Sequence, residues 1–452
     1  MLTEQSKGEY DLAIGVRSLE GDAQYEGVAR LLLMHDGDGK VLVLLPWEGL
    51  LNLEAIWKGS GRQLQPARSE DALRFFSQPG LNQEAGLRKL FSLPLYIDLS
   101  LQSRVELKAY EPHSDRSFSV PGAWLSEGHI EAYPLALTRA DIDARQPGGD
   151  DRAVIIRAVE KFTALRIRQR LEDTLGLPSF SPTTQKILMM RCDPEAGVDT
   201  LVPVVRLDPS LSAQVMSWAS SSYYAVPGKV HSLEDAIIRV LGFDLVINLA
   251  LGVALGKTLQ MPNDTPRGAT DYWQQAVYTA TLAERLCRKM PMAERLRPGL
   301  AYLAGLLHNF GYLVLAHLFP PHFSLLSRYI EANPHMGTEY IEKQVLNVTR
   351  EQVGSWLLES WSVPAEVCVA VRRQNEVDYD GEHSGYARLV HLSNRLLREQ
   401  GLSDGPIENI PAGLTESLGL SRGVISEAME DVLASRDALG EVTQVFGGQR
   451  AS

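Results

Sequence analysis

A histidine and an asparagine interrupt an otherwise apolar segment in the second half of the chain, Gly305-Leu-Leu-His308-Asn309-Phe-Gly311. Histidine is a frequent general base and the commonest metal ligand in proteins. A histidine inside an apolar helix is also found simply packed and hydrogen-bonded to its neighbours. His308 therefore indicates either a reactive centre or an interior polar residue, and the surrounding residues have to decide between the two.

Other potential metal ligands are sparse. His317 and His322 flank Leu-Phe-Pro-Pro, but the prolines disrupt helical register and no carboxylate accompanies the two histidines. The three cysteines, Cys192, Cys287 and Cys368, lie far apart and none belongs to a CxxC pair. We interpret the cysteines as reduced interior residues and do not expect a metal at the histidine pair.

The first part of the sequence carries strand and turn signals. Short apolar runs at 30–34 and 41–45 are separated by Asp36-Gly37-Asp38-Gly39, whose residues tolerate positive φ, so they predict a β-hairpin. Further strands are predicted at 95–99 and 105–110, and short helices at 52–58 and 70–76. This mixture predicts an α+β domain.

Helical signals dominate after a charged, turn-rich segment at 141–151. Asp208 is a predicted N-cap before Pro209, Ser232 and Asp235 form a predicted capping box, and Gly242 should end that helix. The expected multidomain layout is an α+β domain at 1–140, a linker at 141–152, a connecting helix at 153–176, an all-helical domain at 177–400, and a helical extension with a tail at 401–452.

Motifs spread over residues 175–400 resemble the HDOD domain, a helical relative of the HD phosphohydrolases. The matching stretches, in order, are Leu177-Pro178, Asp208-Pro209-Ser-Leu, Trp218–Tyr224, Ser232–Ile237, Leu241-Gly242-Phe243, the His308 segment, Val353–Trp361 and Leu389-Val-His391-Leu. The resemblance implies an all-α HD-type fold and a role in bacterial signal transduction.

The HD enzymes hydrolyse phosphoesters with one or two metal ions held by histidines and aspartates, and the resemblance locates the corresponding positions here. They are Gln275 for the first histidine, His308-Asn309 for the His-Asp pair, Asn394 for the final aspartate, and Arg350 and Gln374-Asn375 near the extra histidines of two-metal relatives. A lone imidazole among neutral amides leaves the charge of a divalent cation uncompensated, and Arg350 would repel it. We therefore expect no metal, no cofactor and no catalytic residue, and we favour the packed interpretation of His308.

The N-terminal half has a second resemblance, to the YbaK-type aminoacyl-tRNA deacylases. It is carried by Val28-Ala-Arg30-Leu-Leu-Leu-Met, Lys40–Pro46, Leu51–Ile56 and Leu93–Leu101. Active relatives carry a lysine at the position of Arg30 and a glycine- and proline-rich loop where this chain has residues 80–90. The resemblance implies a degenerate pocket formed by Arg30, Gly80, Gly86 and Asp98. A planar guanidinium does not substitute for an ammonium group in positioning a substrate, so we expect a retired pocket or a scaffold.

Serine hydroxyls and aromatic edges follow the predicted helix that begins at Pro209. Ser221, Tyr223 and Tyr224 form a candidate partner surface. A helix C-terminus with two half-buried tyrosines is the alternative, and we favour it.

Composition restricts the partners. The 452 residues carry a formal net charge of −12, with 44% hydrophobic and 22% charged residues, which is typical of a folded, water-soluble protein. The negative charge disfavours broad binding to tRNA or anionic lipid. The N-terminus has no apolar region typical of a signal peptide, and we expect the protein in the cytoplasm.

The sequence favours a non-catalytic bacterial regulatory adaptor that binds signalling proteins or a nucleotide messenger. Two alternatives remain open. An aminoacyl-tRNA editing deacylase would act through the N-terminal domain, and a metal-dependent phosphohydrolase would act through the helical domain.

Overall fold

The computed structural model describes residues 28–446 apart from 82, 103–105, 127–129, 140–149, 164–185, 188–189, 191–195, 221–229, 244, 248–249, 251–261, 263 and 294. Several predictions fall on residues outside this description. They are the motif Leu177-Pro178, the candidate surface of Ser221, Tyr223 and Tyr224, Cys192, and most of the predicted linker and connecting helix.

A mixed sheet is built around the predicted hairpin. Strands β1 (Val28–Asp36) and β2 (Gly39–Pro46) pair antiparallel across a turn at Gly37-Asp38, which confirms the prediction. The other strands are β3 (Leu50–Leu51), β4 (Gln65–Pro66), β5 (Leu95–Asp98), β6 (Glu106–Glu111), β7 (Arg116–Pro121), β8 (Ala132–Leu135) and β9 (Thr138–Arg139). The order is β7-β6-β1-β2-β5-β8, with β4 also paired to β1, and β3 and β9 form a separate ladder.

Four helices accompany the sheet. They are α1 (Leu53–Ser60), α2 (Ser69–Phe76), α3 (Glu84–Leu90) and α4 (Gly122–Ser126). Helices α1 and α2 confirm the short helices predicted at 52–58 and 70–76. No element was predicted at 80–90, where the resemblance has a glycine- and proline-rich loop, and the structure has α3 in this segment.

The two faces of the sheet pack against different partners, because successive side chains of a strand point to opposite sides. Ala29, Leu31 and Leu33 of β1 pack in a cluster with residues of α2 and α3. Leu32 and Met34 belong instead to a cluster that continues into the helical half of the chain. One hydrophobic core therefore extends from the sheet into the helical domain.

The helical half begins with α5 (Asp151–Phe162), which starts inside the predicted linker, where the Asp150 side chain caps it by accepting a hydrogen bond from the Ala153 N–H. Among the described residues, the helices that follow are, in chain order, α6 (Val198–Arg206), α7 (Pro209–Ala219), α8 (Leu233–Asp235, continued by a π-helical turn at Ala236–Leu241), α9 (Tyr272–Lys289), α10 (Pro298–Leu307), α11 (Phe310–Leu318), α12 (Pro320–Ala332), α13 (Thr338–Leu346), α14 (Arg350–Ser360), α15 (Ala365–Arg373), α16 (Ser384–Glu399), α17 (Ala412–Ser417), α18 (Arg422–Ala434) and α19 (Arg436–Phe446).

The predicted helix starts are present with one difference. Asp208 caps α7, since its carboxylate accepts a hydrogen bond from the Leu211 N–H at 3.0 Å. Ser232 caps α8 through the Asp235 N–H, but the Asp235 carboxylate accepts from the His231 N–H and not from that of Ser232, so the predicted capping box is half formed. Gly242 ends the π-helical turn with a φ of 79°.

The C-terminal extension is part of the helical domain. Lys289 and Arg285 of α9 form ion pairs with Glu427 and Asp431 of α18, at 2.8 and 3.5 Å. The helical character predicted for the extension agrees with α18. The described part of the extension therefore packs on the helix that carries Gln275.

One stretch of the described residues, Pro298–Leu318, is long and apolar enough to resemble a membrane span. It is completely buried in the helical domain and is divided into α10 and α11 at His308-Asn309. Its composition is thus that of a central helix pair in the fold.

Candidate functional site

The six positions that the resemblance to HD enzymes singled out converge on one cavity. Its volume is about 460 Å³, and its lining includes Gln275, His308, Asn309, Arg350, Gln374 and Asn394. They come from five places in the chain: α9, the junction of α10 and α11, α14, the end of α15, and α16. Ala67, Arg68 and His113 of the N-terminal domain also line the cavity, so both domains contribute to its wall.

Close helix contacts fix the position of the His308-Asn309 junction. A Cβ atom on Gly305 would lie 2.6 Å from the Cα of Ala280 in α9, and one on Gly311 would lie 1.8 Å from the backbone oxygen of Arg350 in α14. Only glycine permits both approaches, because real Cβ atoms do not come so near to backbone. The two glycines on either side of His308 hold the junction against the helices that supply Gln275 and Arg350.

His308 is a neutral, buried histidine with one free ring nitrogen. It is 6% exposed, and its Nδ1 lies 2.7 Å from the Gly305 carbonyl oxygen, to which it donates. Burial lowers the pKa of His308 to about 4, so the ring is uncharged near neutral pH. Its Nε2 therefore carries a lone pair, and no described residue donates a hydrogen bond to it.

Asn309 joins the cavity to a buried ion pair. Its Oδ1 accepts a hydrogen bond from Nη1 of Arg350 at 2.7 Å. Arg350 is also paired with the carboxylate of Glu342, which is fully buried, and that carboxylate accepts from the Arg350 backbone N–H at 2.8 Å. The charge of Arg350 is thus compensated within the protein.

The amides of Gln374 and Asn394 are locked in a hydrogen-bonded chain. Gln374 donates to the carbonyl oxygen of His308 at 2.7 Å and accepts from Asn394 Nδ2 at 3.2 Å. Asn394 Oδ1 accepts from Thr279 Oγ1 at 3.0 Å. His391 donates from Nδ1 to the Gln374 carbonyl oxygen at 2.6 Å. These groups hold the cavity wall in one arrangement, because each amide is oriented by more than one partner.

Gln275 is held by Asp404, a residue that the sequence analysis missed. Gln275 Nε2 donates to the Asp404 carboxylate at 2.9 Å, and the Asp404 N–H donates back to Gln275 Oε1 at 3.1 Å. Burial raises the pKa of Asp404, although hydrogen bonds oppose this effect. Asp404 lies after α16, in a segment without periodicity, so nothing in the sequence indicated that it reaches the cavity.

The groups around the cavity do not fit a divalent metal ion. The six positions named above supply a neutral imidazole, amides and a guanidinium, which cannot balance two positive charges. Over the described residues, no three His, Cys, Asp or Glu side chains form a cluster that could hold a metal. Asn375 at this site donates to Glu351 at 3.0 Å, so the nearby carboxylate is already engaged.

The four residues of the predicted deacylase-like pocket do not lie together. Arg30 and Asp98 occupy the sheet face that is turned towards the helical domain, since Arg30 pairs with Leu45 in the register of β1 and β2 and Leu45 belongs to the shared core. Gly80 and Gly86 lie beside each other near α3, on the opposite face. The grouping of these four residues into one pocket does not agree with their positions.

Arg30 is completely buried between the two domains. Its guanidinium donates to Asn333 Oδ1 at 3.0 Å, to the Gly49 carbonyl oxygen at 3.3 Å, and to the ring of His335. Burial lowers the pKa of Arg30 to about 9, and burial together with the Arg30 charge holds the pKa of His335 well below its usual value. His335 is therefore neutral and able to accept from Arg30.

Asp98 has a structural role at the end of β5. Its carboxylate accepts hydrogen bonds from the backbone N–H groups of Leu137 at 2.8 Å, Thr138 at 3.1 Å and Ser100 at 3.0 Å. Burial opposes ionisation of Asp98, but these hydrogen bonds outweigh it and lower the pKa. Asp98 thus fastens the segment around β9 to the sheet.

Comparison with known proteins agrees with the helical part of this description. The HDOD domain model matches residues 177–377. A crystal structure from Marinobacter aquaeolei VT8, provisionally named a signal transduction protein, is 39% identical, with a TM-score of 0.86 over 97% of each chain. The chain belongs to the HDOD-domain proteins.

More distant relatives share the fold. An HDOD domain protein of unknown function from Geobacter sulfurreducens is 19% identical, with a TM-score of 0.52 over 66% of this chain and 99% of its own. A Shewanella amazonensis SB2B structure provisionally named a phosphohydrolase is 17% identical, with a TM-score of 0.50 over 65% of this chain and 98% of its own. An uncharacterized Treponema pallidum protein is 24% identical over 271 residues, covering 58% of this chain and 50% of that relative, so the match spans half of its length.

Proposed function

We propose that the protein is a regulatory adaptor, in which the HD-derived cavity binds a signalling partner or a nucleotide messenger without hydrolysing it. The observation that carries this proposal is the arrangement around the cavity. Hydrogen-bonded amides, a neutral His308 and the Arg350–Glu342 pair occupy the positions where HD enzymes place metal ligands. Activation of water by a metal ion needs anionic or imidazole ligands in a cluster, whereas carboxylates that line this cavity are engaged with other side chains: Asp404 with Gln275, Glu351 with Asn375, and Glu331 with Arg267.

The N-terminal domain fits a supporting role in the same adaptor. We propose that it derives from a YbaK-type deacylase and now serves as a scaffold that closes one side of the cavity. Arg30, which the resemblance places at the position of a lysine in those enzymes, is 0% exposed and is hydrogen-bonded to the helical domain. A tRNA end cannot reach a residue that the second domain covers.

The name of one relative supports a regulatory role, but the names together do not decide whether the cavity hydrolyses a phosphoester. The Marinobacter protein is provisionally assigned to signal transduction, whereas a Shewanella relative is provisionally called a phosphohydrolase. The rival hypothesis of metal-dependent hydrolysis therefore needs a direct test.

Hydrolysis can be tested on the purified full-length protein. It would be incubated with bis(p-nitrophenyl) phosphate and with cyclic dinucleotides in the presence of Mn²⁺, Fe²⁺ or Mg²⁺, alongside the variant His308→Asn. We expect no turnover above that of the variant. Turnover that His308→Asn abolishes would overturn the proposal in favour of the phosphohydrolase.

Partner binding can be tested by affinity capture from the native cell. The cavity-filling variant Asn375→Trp would be compared with the wild type and with Lys58→Ala, whose exposed side chain pairs only with Glu54 at 2.7 Å. Proteins captured by the wild type and Lys58→Ala but lost with Asn375→Trp support an adaptor that acts through the cavity. Identical capture by all three proteins contradicts it.

A further inference from the structure

We propose that the cavity recognises the edge of an uncharged nitrogen heterocycle, of the nucleobase or nucleoside class, through His308 Nε2 and Asn309 Nδ2. This inference rests on the proposed function and names the class of ligand for the same cavity. In HD enzymes the residues at these positions hold a metal ion that acts on a phosphoester. Here the proposed role of the same positions is to bind a base.

The two residues have complementary unused hydrogen-bonding capacity. Since Nδ1 of His308 donates to Gly305, the free Nε2 of the neutral ring can only accept. Since a guanidinium can only donate, the oxygen of Asn309 must face Arg350, and its Nδ2 is left with N–H groups that no described residue accepts. Both residues are buried, at 6% and 8% exposed, and both line the cavity.

A donor and an acceptor that face a small cavity without a protein partner can both be paired by a ligand with complementary groups, and such a ligand is bound in preference to one that leaves them unpaired. The matching edge has an N–H group beside a carbonyl oxygen or a ring nitrogen. Nucleobases present such edges in a flat ring, with donor and acceptor on neighbouring atoms. Both residues line the same cavity, so one ligand can contact both groups.

Charge in the cavity does not favour a phosphate group. Its lining carries as many arginines as carboxylates, namely Arg68, Arg267, Arg350 and Arg398 against Asp271, Glu331, Glu351 and Asp404. Arg267 is paired with Glu331 and Arg350 with Glu342, while Arg398 donates to the Asp404 carbonyl oxygen at 2.9 Å. The fourth arginine, Arg68, is exposed. Because the positive and negative side chains of the lining are equal in number and largely paired with groups of the protein, the cavity favours an uncharged ligand.

Size and wall chemistry agree with a nucleoside. The volume of about 460 Å³ falls in the usual range of small-molecule sites. Tyr272 and Tyr312 line the cavity with nearly parallel rings, at an interplanar angle of 18° and a centroid distance of 6.4 Å. Ile330, Pro334 and Met336 add apolar surface. Flat aromatic and apolar walls favour a planar ring that stacks on them.

The test is isothermal titration of the full-length protein with adenosine, guanosine, cytidine and uridine, and with their 5′-monophosphates. His308→Asn keeps a donor for the Gly305 carbonyl oxygen and removes Nε2, whereas Asn309→Asp keeps the acceptor for Arg350 and removes the N–H groups. Lys58→Ala is the matched surface control. Thermal unfolding of each unliganded variant separates loss of folding from loss of affinity.

We expect at least one nucleoside to bind the wild type and Lys58→Ala with a dissociation constant below about 1 mM. Both cavity variants should fold and bind about tenfold or more weakly, and a 5′-phosphate should not tighten binding. No binding of any nucleoside, equal binding by folded His308→Asn, or a monophosphate that binds more than about tenfold tighter than its nucleoside would overturn the inference. These outcomes leave the hydrolysis assay unaffected, so failure of the ligand class is distinguishable from failure of the proposed function.

Discussion

Arg30 and Asn333, separated by 303 residues in the chain, are joined by a hydrogen bond of 3.0 Å from Nη2 of Arg30 to Oδ1 of Asn333. Both side chains are completely buried. Asn333 also accepts from the Leu51 N–H at 2.7 Å, and it follows the last residue of α12. A polar junction between the sheet and the helical domain therefore lies inside the shared hydrophobic core.

We predict strong coupling between these two residues. Arg30→Met leaves His335 without the guanidinium donor and leaves Asn333 Oδ1 with only the Leu51 N–H among the donors described above. Asn333→Leu removes an acceptor from a buried cation whose Nε already has no partner among the described residues. Each change should lower the free energy of unfolding by about 2–4 kcal/mol. Urea denaturation of the single and double variants should give a coupling energy of about 1–3 kcal/mol. Additive effects would show that the junction contributes no mutual stabilisation.

The buried ion pair of Arg350 and Glu342 gives a second prediction. Glu342→Gln leaves a buried guanidinium without its hydrogen-bonded carboxylate and should cost about 3–5 kcal/mol in unfolding free energy. The double variant Glu342→Leu, Arg350→Met removes both charges and should recover most of that loss. Chemical denaturation measures both. A double variant less stable than Glu342→Gln would contradict this explanation.

The pH dependence of stability should report on His308. The pKa of His308 in the folded protein, about 4, is below its ordinary value of 6.5. At any pH between about 4 and 6.5, the unfolded chain therefore binds more protons at this residue than the folded chain does. The free energy of unfolding therefore falls as the pH falls from about 6.5 to 4, by on the order of 3 kcal/mol from this residue. Denaturation of the wild type and His308→Asn over this range should show a shallower decline in the variant. Parallel curves would mean that His308 is not buried as a neutral ring.

The close approach at Gly311 gives a fourth prediction. Gly311→Ala would place a Cβ atom 1.8 Å from the backbone oxygen of Arg350, so α11 and α14 must separate, and we expect a loss of more than about 3 kcal/mol or failure to fold. Gly440, inside α19, has nothing within 4 Å of the same added atom, and Gly440→Ala should stabilise by up to about 1 kcal/mol. Thermal unfolding of the two variants compares them. A small effect at Gly311 would rule out the tight helix contact.

Local signals in the sequence predicted the elements well. The β1–β2 hairpin followed from its turn residues, and the start of α7 followed from Asp208 before Pro209, because a turn or a cap depends on a few adjacent residues. The apolar segment around His308 was a different case. It was interpreted as part of an apolar helix, but α10 ends at Leu307 and α11 begins at Phe310, and the close contact of Gly311 with α14 lies beside this break.

The site was predictable only where motif spacing identified it. The six HD positions were named from the sequence, and the structure brings them to one cavity. Asp404 and the contribution of the N-terminal domain were not foreseen, because they depend on contacts between residues more than a hundred positions apart. The burial of Arg30 was also not foreseen, since its partners lie in another domain.

Titration of the metal-free protein with Mn²⁺ tests the central claim most directly, because the proposal depends on a cavity that cannot compensate the charge of a divalent cation. Isothermal calorimetry near pH 7.5 should show no saturable binding at micromolar Mn²⁺, and His308→Asn should give the same trace. Stoichiometric binding to the wild type that His308→Asn abolishes would contradict the account.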